Sequence, residues 1–250
     1  MYFGKPYKID LGTIKLSSIK DGYKSITIYQ PTIGKIVDIG EEKFFSSLNA
    51  FVTNTTSYRL PLWDMGIDWN EISDFDLFLI LFKSVDDEVS QLLFKINMSN
   101  FEYYTMSIND TESPILYSKK DRIIIDEDVY NHISQYLREM FQMKPEDKFT
   151  DDAIMKNWFI DKDRRQKERD EQKGINNESN LQAIISACVN HAGFKHSLKE
   201  LEDVGVCEFY DSVQRLQIYE STTALMKGMY SGFVDGSKIK PDDYNFMKPL

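Results

Sequence analysis

The chain has 250 residues, enough for one large domain or two smaller ones with a substantial core. Hydrophobic residues make up 42% and charged residues 28%, a balance that excludes general disorder. With 40 acidic against 30 basic residues the net charge is −10. Such a surface repels phosphate backbones and anionic bilayers, so neither nucleic acid nor a membrane is an expected main partner.

The first region, residues 1–125, mixes strand and helix signals and reads as an α+β domain with antiparallel strands. The amino-terminal stretch "MYFGKPYKIDLG" has no signal-peptide pattern, which points to a cytoplasmic protein with reduced thiols. "YKSITIYQPT" alternates Tyr23, Ile26 and Ile28 with polar residues and predicts a strand ended by Pro31. "PTIGKIVDIGEEKFFSSLNAFV" places Ile33, Ile36, Val37, Phe44, Leu48 and Phe51 at helical spacing, with Gly34 and Gly40 weakening its first half. "EISDFDLFLILFKSV" predicts a second helix with Asp74 and Asp76 in its first turn. "LFKINMSNFEYYTMSIND" and "SPILYSKKDRIIID" read as strands, with turn residues Asn109, Asp110 and Pro114 between them.

Residues 126–173 predict a helical connector. Asp126 or Asp128 caps a helix whose Val129, Ile133, Tyr136, Leu137 and Met140 share one face, and Pro145 ends it. Thr150 is the expected cap of the next helix. Between Asp161 and Lys173 that helix carries six basic and five acidic residues, and Asp161–Arg165, Asp163–Lys167 and Arg164–Glu168 fall at the four-residue spacing of helical ion pairs. After "GINNESN", a linker signal, residues 174–250 predict a helical domain with a flexible tail. "LQAIISACVNHAG" is a short helix ended by Gly193, and Ser197 with Glu200 has capping-box spacing. A long helix follows from a Gly205 cap, with Gly228 or Gly232 as its break, and "KPDDYNFMKPL" reads as a frayed end.

Two constellations carry possible chemistry. Asp64, Asp68, Glu71, Asp74 and Asp76 lie beside Trp63 and Trp69, the composition of a carboxylate pair with sugar-stacking rings. The plainer reading caps two short helices with the acids and closes a core with the tryptophans, and it is preferred because carboxylates belong at helix starts. Cys188, His191, His196 and Cys207 form C-x2-H-x4-H-x10-C, a zinc-type donor set without the usual paired spacings. Neither supports catalysis, and no cofactor or metal is expected. Binding remains, with Phe209, Val213, Leu216, Met226 and Met229 on the apolar face of the long helix as candidate partner contacts, or as internal core.

The blocks "QPTIGKIVDIGEEKFF", "TSYRLPLWDMGIDWNEISDFDLF", "MKNWFIDKDRRQKER" and "FYDSVQRLQIYESTTALMKGMYSGFVD", in that order from about Tyr29 to Asp235, resemble a family of proteins from tailed phages and prophages of Gram-positive bacteria. That family is read as tail assembly chaperones or tail-morphogenesis proteins. The resemblance implies a non-enzymatic helper in the host cytoplasm that keeps the tape-measure protein soluble while tail-tube subunits polymerise around it. Its alternative is a structural tail or baseplate protein of the virion.

Overall fold

The computed structural model describes residues 6–9, 24–108, 111–146, 149–173 and 180–248. The chain is α+β. Strands β1 (Tyr7–Ile9) and β2 (Ile26–Ile28) pair antiparallel, Tyr7 opposite Ile28. Helices α1 (Ile33–Ile39), α2 (Glu41–Val52), α3 (Arg59–Asp64), α4 (Asp74–Leu81) and α5 (Asp87–Phe94) follow. Strands β3 (Glu102–Ile108), β4 (Thr111–Ser118) and β5 (Ile123–Ile125) form an antiparallel meander. The remainder is helical: α6 (Glu127–Met140), α7 (Ala153–Gln172), α8 (Leu181–Val189) and α9 (Val206–Tyr230), with short 3-10 turns between and after them.

Local signals explain most boundaries. The Thr32 side chain accepts from the Lys35 amide to start α1, and Gly40, at φ +100°, breaks the expected single helix into α1 and α2. Ser73 and Asp76 close a capping box on α4, so both first-turn carboxylates sit at a positive helix end. Asp126 accepts from the Val129 amide at 2.9 Å and starts α6. Asp152, not Thr150, caps α7, accepting from the Ile154 amide at 2.8 Å. Helix α8 stops at Asn190, before the expected Gly193, whereas α9 starts from Gly205 as expected and runs past Gly228 to Tyr230.

Two strand expectations change. Leu93 and Phe94 end helix α5, which Asp86 caps and Lys95 stops in the left-handed conformation at φ 61°; a strand begins only at Glu102. Pro114 lies inside β4 opposite Thr105 rather than in a turn. It is tolerated because β5 reaches only Leu116–Ser118, so that among the described residues β4 has β3 alone as its strand neighbour at Pro114. The turn expected at Asn109 and Asp110, and most of the linker expected at "GINNESN", lie outside the described residues.

The core is built on aromatic packing. Phe51 meets Phe78 at 5.2 Å between ring centroids, and Phe78 stacks on Tyr130 at 4.8 Å, joining α2, α4 and α6. Each such side chain, fully buried, contributes about 1.5–3 kcal/mol. The C-terminal helices share this core: Leu181, Ile185, Val206 and Phe209 pack in one cluster with Ile33, Phe44 and Leu137. Backbone bonds hold the junction, from the Ile33 amide to the Val204 carbonyl at 2.9 Å and from Val206 to Pro31 at 3.0 Å. Gly34 is required there, since a Cβ would stand 2.7 Å from the Glu202 carbonyl oxygen.

Candidate partner-binding surface

The acid-and-tryptophan stretch is an anchor for α7. Leu62, Trp69, Leu77 and Ile160 form a second small core, with Trp63 and Phe159 packed on it. The Asp68 carboxylate pairs with Lys156, and Asp64 pairs with Arg164. Arg59, itself nearly buried, makes a two-pronged pair with Asp163 at 2.6 and 2.8 Å while lying 5.0 Å from the Phe159 ring centre. Burial works to raise the Asp68 carboxyl, but hydrogen bonds from Lys156 and the Asn70 amide hold it below the ordinary carboxylate range. Asp74 accepts from the Thr55 amide at 2.9 Å, and Asp76 serves its capping box. Asp64, Asp68, Asp74 and Asp76 are tied to named structural donors while Glu71 is exposed, and of the helical pairs expected within α7, those of Asp163 and Arg164 give way as both turn to α3.

Helix α9 divides into two halves. Phe209 and Val213 are buried in the core, so neither presents a face to a partner. Leu216 packs at the edge of that core and lines a groove of about 510 Å3 with Phe194, Tyr219 and Phe246. Beyond it, Met226 and Met229 are half-buried, while Tyr219, Tyr230 and Phe233 are exposed. The expected frayed end folds back instead. Arg215 donates through Nη1 to the carbonyl oxygen of Lys248 at 2.7 Å, and Phe246 meets Tyr219 edge-on at 6.2 Å. A short 3-10 turn, Pro241–Tyr244, precedes this contact. The tail clamp has no local signal in the sequence, because Arg215 and Lys248 stand 33 positions apart.

Cys188, His191, His196 and Cys207 do not gather. His191 faces Glu220 at 3.3 Å and His196 faces Glu208 at 3.6 Å. Among the described residues no group of three or more potential ligands converges on one point. Burial pushes both cysteine thiols up. It also pushes the hydroxyls of Tyr130 and Tyr210 up to about 12, helped by Asp74 and Glu41 respectively. Among the described residues, no helix is long and apolar enough to cross a membrane.

No curated protein and no solved structure matches the chain. Residues 170–249 match the family model described as YomV second domain. YomV is a protein of a Bacillus phage region, and the match links α8, α9 and the folded-back tail to a phage-related family.

Proposed function

We propose that the protein is a non-enzymatic tail assembly chaperone, acting in the host cytoplasm, whose C-terminal helices hold the tape-measure protein soluble. The observation that carries this reading is the concentration of exposed apolar side chains on the segment similar to the YomV second domain. Phe233 is 91% exposed and Tyr230 83%, with Tyr219, Phe246 and Met247 exposed around them. Scattered apolar residues on a surface need no explanation, but several on one helix end and its return mark a contact surface. The half-buried Met226 and Met229 add side chains that adapt to irregular apolar faces. Leu216, Met226 and Met229 are therefore the client contacts retained from the long helix, joined by Tyr230 and Phe233, while Phe209 and Val213 position that helix from the core.

The test is co-expression with the tape-measure protein of the same genome, followed by size exclusion of the soluble fraction. Co-elution with a solubilised client is expected, and Phe233→Ser together with Met229→Ser should return the client to the pellet. A client that stays insoluble while this protein elutes alone sinks the reading. Detection of the protein as a stoichiometric component of purified particles would replace it with a structural role in the tail or baseplate.

A further inference from the structure

Helix α7 has a second face that the anchoring to α3 leaves untouched. Lys156, Ile160, Asp163 and Arg164 point inward to α3 and to the loop after it. Opposite them, Ile154, Trp158, Lys162, Arg165 and Arg169 follow one another at spacings of four, four, three and four, which aligns them along one outward line. The first end of the line is apolar: Ile154 is 78% exposed and Trp158 49%, with Met155 exposed beside them. The second end is cationic. The Lys162 ammonium lies 5.5 Å from the Trp158 ring centre, and Arg165 and Arg169 donate Nε to the carbonyls of Asp161 and Arg165 one turn back. Among the described residues none of these three cations has a carboxylate within ion-pair distance, although Glu168 lines one side of the groove of about 490 Å3 that they share with Trp158.

We propose that this outward stripe of α7 docks an acidic amphipathic helix of a partner protein, with apolar residues against Ile154 and Trp158 and carboxylates against Lys162, Arg165 and Arg169. Charge complementarity selects this occupant. On a chain of net charge −10, Asp163 of α7 is drawn into its pair with Arg59 of α3, Glu168 stands at one side of the groove, and three cations are set in a row beside an exposed tryptophan. A partner that answers both ends needs an apolar anchor and acids at i, i+3 and i+7, the periodicity of a helix. From Ile154 to Arg169 the stripe runs about 22 Å, four helical turns, which suits a partner helix of ordinary length. Long polyanions and anionic bilayers satisfy only the cationic end and meet the acidic remainder of the surface at longer range. The site is separate from the client surface on α9 and does not depend on it.

The test uses the full chain and a fluorescein-labelled designed helical peptide carrying Leu and Phe at one end and Glu at i, i+3 and i+7 at the other, read by anisotropy. Binding is expected. It should weaken about tenfold in Trp158→Ala and at least as much in the double variant Arg165→Glu/Arg169→Glu. A peptide with Lys in place of Glu should recover binding to the double variant, which separates charge pairing from misfolding because all these side chains are exposed. No binding, or binding indifferent to the reversal, overturns the proposal. So does preference for a single-stranded oligonucleotide or for phosphatidylcholine–phosphatidylglycerol vesicles over the peptide. Self-association abolished by the same reversal would assign the stripe to a second copy of this chain and overturn it equally.

Discussion

Helices α7 and α9 are the two longest among the described residues, and they are attached in different ways. α9 buries Val206, Phe209 and Val213 in its first half and takes its place through apolar packing in the main core. α7 buries Ile160 and is held at its flanks by Lys156–Asp68, Arg59–Asp163 and Arg164–Asp64. The first kind of attachment is indifferent to salt and acid over a wide range. The second is conditional, because an ion pair needs both charges and loses strength when one is neutralised or screened. Its apolar contacts, Ile160 and Phe159, belong to the small cluster with Leu62, Trp69 and Leu77, so α7 can be released without unfolding the main core, whereas α9 cannot leave without dissolving that core.

This contrast can be broken at either end. Phe209→Ala should destabilise the whole molecule by about 3–5 kcal/mol, seen as a lower denaturant midpoint for every spectroscopic probe at once. A loss confined to the C-terminal helices would show instead that they form a separable core. Asp163→Ala leaves the nearly buried Arg59 guanidinium without its partner and should cost about 3 kcal/mol. That loss should be confined to α7, reported by Trp69, which is 1% exposed beneath Lys156, in a Trp63→Phe/Trp158→Phe background that leaves it the single tryptophan. A matching fall in the global midpoint would refute the idea of independent release.

Acid sharpens the comparison further. Because the folded Asp68 carboxyl is held below its ordinary value, its contribution is complete above about pH 5, beyond the ordinary carboxylate range, and is lost as pH falls through the lowered folded value. In the same Trp63→Phe/Trp158→Phe background, Trp69 emission should therefore stay constant from neutral pH to about pH 5 and shift to the red below about pH 4, and Asp68→Asn should remove the part of that shift due to this pair. The smallest effect is expected at Arg164→Ala, whose pair with Asp64 is half-exposed: less than about 1 kcal/mol, vanishing in molar salt.

Much of the secondary structure was legible locally. The apolar face of α6, the Asp126 cap, the Gly205 start of α9 and the Ser197–Glu200 pair all act within one helical turn, and short-range patterns read them correctly. Helix α5 was not legible, because "LLFKIN" carries the apolar content of a strand, and the deciding signals were the Asp86 cap and a left-handed Lys95. The candidate contacts Phe209 and Val213 share a helical face with Leu216, and periodicity cannot say which part of a face is covered by other elements. The outward stripe of α7 was present in its spacing, yet a near-neutral charge count concealed it, since the count does not record direction.

By itself the sequence determined most element types through local caps and periodicity, the mixed first half and helical second half, and a net charge of −10. Only the tertiary structure decided which charges of α7 are spent inward, which half of α9 is covered and where the tail returns. The reason is range: Arg59 and Asp163 lie 104 positions apart, Arg215 and Lys248 33, and no pattern within a single turn encodes a partner at that distance.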